Sequence, residues 1–399
     1  MERGVLDGSL EGLRTVNRAR VVEALRRRGK VSRAEIARET GLSRSTVSSL
    51  VGDLIGEGLV VERLAEADDH EAGRARANGR PPVLLALDAS AGLALGIAFG
   101  HSHVRVALAD LSSEVLGERR REHDVDREAL AGLDAAAAMA QELLEEAGAD
   151  RDRVIGAGMG LSGPIDHASG RTSSREILPG WYGIDAQAEM QARVGVPVRL
   201  ENDANLGALA EAAFGAGQGS KDLVYLMMSS GIGAGLFLGG RLFRGVAGMA
   251  GELGHVLVDE AGPLCRCGNR GCLETFASGP PLAALVSQSR GEPVSIEAML
   301  ALAADGDPGA RRVLEDAGRI AGRSIANLCN LLNPELVVVG GRLAVAGDLL
   351  LDPLRESVRR YAIPAAAEAV RVEPGVLGER AEVLGALALV IHQSDPLFV

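Results

Sequence analysis

From about residue 83 onward, short apolar runs alternate with longer Ala-rich stretches, and no other feature restricts the fold of this chain as strongly. Residues 104–109, 154–159, 198–200, 223–228 and 336–339 have the length and branched apolar content of strands. Residues 129–147 have the composition and length of a helix. Such alternation indicates an α/β architecture. The 399 residues suit two or three domains, and an apolar share of 47% excludes a disordered chain. The 52 glycines fall in short clusters without a three-residue period, which suits tight turns and excludes collagen. The most apolar stretch, 83–99, is interrupted by Asp88 and Ser90 and is too short to span a bilayer. The opening Met1-Glu2-Arg3 begins no secretory apolar segment, so a cytoplasmic protein without membrane association is expected.

Charge is unevenly distributed. The whole chain carries −12, yet residues 14–47 hold ten basic and three acidic side chains. A basic island on an acidic protein asks for a polyanionic partner. In the same segment, Val21, Val22 and Leu25 are spaced as one helix face over 20–28, ahead of Gly29. Ser32 followed by Glu35 makes a capping box for a second helix that buries Ile36 and Ala37 and stops at Gly41. Ser43 then caps a third helix with Val47, Leu50, Val51 and Leu54 on one face and Arg44, Ser45, Ser48 and Ser49 on the other. This is a helix-turn-helix layout. Residues 59–61 and 83–85 supply strands for a wing, with Arg74, Arg76 and Arg80 near its tip, and Arg80 in Gly79-Arg80-Pro81-Pro82 suits a minor groove. Arg33, Ser43, Arg44, Ser45, Thr46, Ser48, Ser49 and Arg80 are the expected DNA contacts. A three-helix bundle used for protein contacts is the competing interpretation. No aromatic residue precedes Phe99, which argues against single strands bound by base stacking and for an operator in double-stranded DNA.

Four groups in the remainder carry chemistry. Cys265, Cys267 and Cys272 surround two glycines, and three thiols so placed either wrap a tetrahedral ion or sit free in a turn. A metal needs a fourth ligand, for which His255 in Gly251-Glu252-Leu253-Gly254-His255 is the nearest candidate. Glu201-Asn202-Asp203 lies between a strand and a helix over 206–213, where Asp203 is either an N-cap or a carboxylate for a sugar hydroxyl. Ser162-Gly163-Pro164 is a turn after a strand, where backbone can approach a ligand. Ser229-Ser230-Gly231-Ile232-Gly233 either cradles phosphate or turns a hairpin. Gly219-Ser220-Lys221-Asp222 lacks the residue order of a Walker A loop.

Together these residues resemble the ROK family of repressors and sugar kinases. The resemblance rests on Gly251 to His255 followed by Cys-x-Cys-Gly-x-x-Gly-Cys-x-Glu at 265–274, on Asn202-Asp203, Gly163-Pro164 and Asn333-Pro334, and on Val339-Gly340-Gly341 and Leu384-Gly385-Ala386. It implies an actin-like, ribonuclease H-like pair of lobes behind a winged helix-turn-helix of the repressor branch. The implied division is 1–82 for the DNA-binding part, 83–200 for the first lobe completed by a C-terminal helix over 380–395, and 201–379 for the second lobe. By the same resemblance, Gly163, Pro164, Asn202, Asp203, Glu252, His255 and Glu274 bind a sugar or sugar derivative, and His255, Cys265, Cys267 and Cys272 hold a structural zinc. Cys329 is expected to be a buried small apolar residue. The repressor branch also implies a homodimer or homotetramer.

Family kinases carry Asp-x-Gly-Gly-Thr in the first lobe, whose Asp helps place magnesium. Here Ala98 stands in place of the Asp and His101 in place of the second glycine. Alanine holds no metal and an imidazole obstructs close phosphate approach. The expectation is therefore a sugar-responsive regulator, most simply a repressor, that binds sugar without using ATP and has no catalytic residue. Were the chain a kinase carrying a DNA-binding module, Asp203 would be its base. A regulator that senses a partner protein is the third alternative. Many kinase relatives have Asn-Leu where this chain has Ile177-Leu178, so the sugar's identity does not carry over.

Overall fold

The computed structural model describes residues 10–64, 83–88, 91–166, 169–172 and 177–392. Arg74, Arg76 and Arg80 lie outside the described residues. The front of the chain folds as α1 (Leu10–Arg28), α2 (Arg33–Thr40), α3 (Arg44–Gly56) and a hairpin of β1 (Val60–Leu64) with β2 (Val83–Leu87). Val21, Leu25, Ile36, Val47, Leu50, Leu54, Val60 and Leu85 form its core. The Ser32 and Glu35 capping box is present, and Gly41 ends α2 in the left-handed region at φ +70°. α1 begins ten residues before the expected 20–28 helix. Its first half is fastened by charge: Arg14 donates to Asp53 at 2.6 Å and Arg18 to Glu57 at 2.7 Å, both on or beside α3. A search for apolar periodicity does not register that kind of support.

The first lobe contains β3 (Leu93–Phe99), β4 (His103–Asp110), β5 (Val115–Glu122), α4 (Ala129–Glu146), β6 (Val154–Leu161), the small hairpin β7 (Ile165–Asp166) and β8 (Arg171–Thr172), α5 (Ala186–Val194) and β9 (Val198–Asn202). Its sheet runs β5-β4-β3-β6-β9, with β3 antiparallel to β4 and parallel to β6. α6 (Asp203–Phe214) leads to β10 (Leu223–Met228), β11 (Ile232–Leu238) and β12 (Arg241–Leu242), then to α7 (Glu274–Ala277), α8 (Gly279–Arg290), α9 (Ile296–Ala304) and α10 (Pro308–Leu332). β13 (Leu336–Gly340), α11 (Asp348–Tyr361), α12 (Pro364–Ala369), β14 (Arg371–Pro374) and α13 (Ala381–Ile391) complete the chain. The second sheet, β12-β11-β10-β13-β14, repeats the plan of the first: an antiparallel hairpin followed by parallel strands.

α6 and α13 lie between the two sheets, α13 against β3 and β6 and α6 against β10 and β11. Glycine makes this layering possible. A Cβ on Gly158 would stand 2.0 Å from the Ala386 carbonyl oxygen, and one on Gly385 would stand 2.0 Å from that of Leu206. Backbone cannot yield at such distances, so any larger residue would separate β6 from α13 at the first position and α13 from α6 at the second. The close packing holds the start of α6 at the floor of a cleft between the lobes. Cys329 is fully buried on α10, as expected of a small apolar residue.

Candidate functional site

The first candidate surface is the start of α3. Ser43 caps it, its hydroxyl accepting from the Thr46 N–H at 3.1 Å and lying 2.8 Å from the hydroxyls of Ser45 and Thr46. Arg44, Ser45, Ser48 and Ser49 are exposed while Val47, Leu50, Val51 and Leu54 are buried, so the helix turns one polar face outward. Arg33 reaches Glu62 of β1 at 2.7 Å, which fastens α2 to the hairpin. An exposed, hydroxyl-rich helix start with an arginine at its first position suits a polyanion.

The second candidate is the inter-lobe cleft, a cavity of about 880 Å³. Asn202, not Asp203, is the cap of α6: its side-chain oxygen accepts from Ala204 and Asn205 at 2.9 and 3.2 Å, and its amide donates to the Gly163 carbonyl at 2.9 Å. One residue thus ties the Gly163-Pro164 turn to the helix start. Gly163 has φ +88°, a conformation that excludes most side chains. Asp203 is buried beside the Ser162 hydroxyl, and burial raises its carboxyl above the ordinary range. Glu252 is pushed up to about 7, first by burial and then by the carboxylates of Asp203 and Glu274. Below Asn202, the buried Glu201 accepts from the Asn205 amide at 2.9 Å and from Arg244 at 2.6 Å. Glu274 accepts from the Ile232 N–H at 3.1 Å and from Arg266 Nε at 2.9 Å. Asn202, Asp203, Glu252, His255 and Glu274 all line this one cavity. The Ser229 to Gly233 segment turns the β10–β11 hairpin at its edge.

His255 joins the cleft to the cysteines. Its Nδ1 lies 3.6 Å from Cys265 Sγ, and its Nε2 lies 3.9 Å from the Glu252 carboxylate. Cys267 and Cys272 bring their sulfurs to 3.7 Å, and the four candidate ligand atoms all lie within 4.8 Å of one another. Zinc bonds of ~2.3 Å to sulfur and ~2.0 Å to nitrogen give a tetrahedron with edges of roughly 3.5–3.8 Å, so both close contacts already have the length of such an edge. Burial, and then the neighbouring sulfurs, push the Cys272 thiol up to about 12. Three sulfurs and an imidazole nitrogen brought this close are the donor set of a tetrahedral site. The cluster therefore fits a metal ion by both donor type and spacing.

The β3–β4 turn forms another wall. Ala98 lines the cavity with only its methyl group, and His101 stands beside it with Nδ1 2.7 Å from the Asp126 carboxylate. That hydrogen bond raises the imidazole above its usual value against the opposing effect of burial. Arg266 was not legible as a cleft residue, because its position between two metal-type cysteines says nothing of where its side chain reaches. Arg105, Arg120 and Arg342 also line the cavity beyond the turn, and no local pattern on their strands or turn marks them as cleft residues.

Two sheets of one plan, a polar cleft between them and a winged helix in front describe an actin-like sugar-kinase frame joined to a DNA-binding module. Residues 94–393 match the model of the ROK family and residues 14–70 that of the MarR family. The chain belongs to the ROK family. It is 31% identical to the xylose repressor of Caldicellulosiruptor bescii over 394 residues, covering 95% of this chain and 96% of that protein. A ROK family transcriptional regulator homologous to Escherichia coli Mlc superposes with a TM-score of 0.80 at 29% identity, covering 97% of this chain and 98% of its own. A ROK family glucokinase from Streptomyces griseus, solved with glucose and AMPPNP, superposes at 0.67 with 30% identity over 75% of this chain and 99% of its own. Among the described residues, no helix is long and apolar enough to cross a membrane.

Proposed function

We propose that this chain is a DNA-binding repressor whose ROK body binds a sugar effector and does not phosphorylate it. The observation that carries the reading is the asymmetry of one cleft. Its polar wall brings Asn202, Asp203, Glu252, His255 and Glu274 together, whereas its β3–β4 turn offers Ala98 and His101 where a kinase needs a carboxylate and a glycine. Phosphoryl transfer depends on positioning and charge neutralisation at the phosphates. A turn without a metal ligand supplies neither.

In this reading Asp203 accepts a hydrogen bond from a sugar hydroxyl, with Asn202, Glu252, Glu274 and the Gly163-Pro164 turn around the ring. His255, Cys265, Cys267 and Cys272 hold a structural zinc. The ion supplies no chemistry beyond fixing the imidazole, whose Nε2 is turned toward Glu252 and the cleft. Arg44, Ser45, Ser48 and Ser49 meet the major groove, Ser43 and Thr46 present the helix start to phosphate, Arg33 flanks them and Arg80 enters the minor groove. A homodimer places two such helices on a palindromic operator.

A path for coupling runs along α6. The helix starts at Asp203 and ends at Phe214, whose ring meets His392 edge-on at 5.7 Å, and His392 Nδ1 lies 3.4 Å from the Glu23 carboxylate on α1. A sugar that favours one lobe arrangement therefore has mechanical access to the winged helix. Coupling of ~1–3 kcal/mol gives roughly 5–150-fold regulation. The test is operator binding at fixed salt across a panel including xylose, glucose and N-acetylglucosamine. The expected result is a sugar-specific loss of affinity, and constant affinity across the panel would overturn sensing. The buried carboxylate at the start of α6 favours a second reading, a kinase with a DNA-binding module. ATP-dependent sugar phosphorylation that disappears in Asp203→Ala would establish it.

A further inference from the structure

One corner of the proposed sugar site is apolar where the rest of it is polar. Ile177 lines the cavity with Ser162, Gly163, Asn202 and Asp203, and its partly buried side chain also packs on the first-lobe core. It lies close against the Gly163 turn: a Cβ on Gly163 would stand 3.2, 3.4 and 3.7 Å from three of the Ile177 side-chain carbons. The missing Cβ leaves those methyl groups to form the wall beside the start of α6.

The chain after Ile177 cannot draw back. It enters the 3-10 turn Pro179–Trp181, with Leu178 and Trp181 buried. Trp181 Nε1 donates to the Val125 carbonyl at 2.8 Å, and its ring meets that of Phe99 edge-on at 5.1 Å. The Gly180 N–H donates to the Asp126 carbonyl at 2.8 Å, and a Cβ on Gly180 would stand 2.4 Å from the Arg127 carbonyl oxygen. A wall fixed in this way is preorganised, so a ligand must match it.

The polar side chains around Ile177 are already paired with one another. The Asn202 oxygen accepts from two backbone N–H groups, and its amide serves the Gly163 carbonyl and the Asp203 carboxylate. The Ser162 hydroxyl is also hydrogen-bonded to Asp203. Pro164 has no N–H to offer. The Asp203 carboxylate keeps spare acceptor sites, but neither Asn202 nor Ser162 keeps a free donor. A hydroxyl buried against the Ile177 methyl groups would lose its water without replacement, which is costly.

An aldohexose carries oxygen around its whole rim, including the exocyclic hydroxymethyl group. Two common kinds of aldose turn one apolar edge instead: pentoses, with hydrogen in place of that group, and deoxyhexoses, with methyl. An acetamido group also carries a methyl, but its N–H and carbonyl both need partners that this corner has spent. We propose that Ile177 selects the effector, which is a pentose or a methyl-terminated deoxyhexose with its apolar edge on Ile177 and a ring hydroxyl on Asp203. The inference rests on the reading of the cleft as a sugar site and names the class of sugar that it takes.

The test is calorimetry on the full-length, metal-replete protein with three configurational series: D-xylose, quinovose and D-glucose; L-arabinose, D-fucose and D-galactose; D-lyxose, D-rhamnose and D-mannose. Within a series only one ring substituent changes, from hydrogen to methyl to hydroxymethyl. In the series that binds, the pentose or the methyl sugar is expected to bind about tenfold or more tightly than the hexose, within the range over which an apolar pocket rejects one added hydroxyl. Ile177→Asn and Ile177→Thr place polar atoms on the same wall, and each should cut that ratio to about threefold or less. The ratio within one variant does not move with the fraction of folded protein, and the parent ratio stands as a test even if both variants fail to fold. A hexose that binds the parent as tightly as its pentose and methyl analogues would overturn the proposal, as would a ratio unchanged in both variants. Hexose preference together with sugar-dependent operator release would remove this inference alone and leave the sensing reading standing. Absence of binding throughout the three series at millimolar concentration would remove both.

Discussion

Two helices in this chain begin with the same local device and meet opposite surroundings. Ser43 caps α3 at an exposed corner, whereas Asn202 caps α6 at the floor of a cleft. At α3 the cap is solvent-exposed amid a basic segment, which suits a large, anionic partner. At α6 the cap side chain is consumed internally, with its amide on Gly163 and its oxygen on two backbone donors. In the proposed sugar site, what remains for the ligand is the Asp203 carboxylate beside it. A cap residue is therefore not a site in itself; its surroundings decide whether it presents a surface or builds a floor.

The strongest test of this difference removes a support that only the buried start has. Cys267→Ser deletes one of four candidate metal ligands, and structural zinc contributes apparent binding free energies of ~10–16 kcal/mol in small domains. Metal content by atomic absorption should fall to near zero, and sugar affinity should fall at least tenfold as His255 loses its orientation. Operator affinity without sugar should stay unchanged. Full metal content in this variant would remove Cys267 from the ligand set.

Asp203→Ala comes next. A hydrogen bond to a charged group contributes ~1.5–3 kcal/mol, which corresponds to roughly 10–150-fold in sugar affinity by calorimetry. Arg44→Ala should have a comparable effect at the other helix start, about 1–3 kcal/mol in operator affinity if it reads a base. If it meets phosphate instead, the loss should be uniform across sequences and the salt slope should fall by about one. Neither substitution should affect the other's ligand in the uncoupled assay, and a sugar defect in Arg44→Ala would break the comparison.

Which parts were legible in the sequence follows from the same contrast. The caps, turns and apolar stripe of 32–54 are local signals, and the structure reproduces each of them. The strands were legible because their apolar runs match their burial: residues 223–228 were delimited to the residue. The first turns of α1 were missed because Arg14 and Arg18 hold them through charges nearly forty positions away. Arg266 and the Arg105, Arg120 and Arg342 trio were missed for a related reason. A cavity wall assembled from both lobes leaves no periodicity in any one segment. Asp203 was considered as a cap, yet the residue before it does the capping, a one-position distinction that only backbone geometry resolves.

Ser43→Ala should cost about 1 kcal/mol of winged-helix stability, the usual value of a lost cap, read as earlier thermal melting with sugar affinity unchanged. Asn202→Ala should cost as much in stability and weaken sugar binding as well, because the same side chain holds the Gly163 turn. Equal behaviour of the two variants toward sugar would show that the start of α6 is no more functional than that of α3.

The smallest expected effect concerns His101, which faces Asp203 from the β3–β4 turn. The Asp126 hydrogen bond outweighs burial and raises the imidazole above its ordinary value of 6.5. A group raised in the folded state contributes its stability fully below the unfolded pKa of ~6.5 and loses it as pH rises through the folded value. Asp126→Asn should therefore melt below the parent at pH 6, and the gap should narrow by pH 9. Both side chains are about a third exposed (29% and 36%), and solvent screening keeps the effect below about 1 kcal/mol. The same titration withdraws a cation from the neighbourhood of Asp203, so parent sugar affinity should vary with pH over this range more than that of Asp126→Asn. The start of α3 has no such partner among the described residues. Arg44→Ala operator affinity should then keep a constant ratio to the parent between pH 6 and pH 9, and a ratio that drifts with pH would mean the exposed helix start also depends on a titrating neighbour.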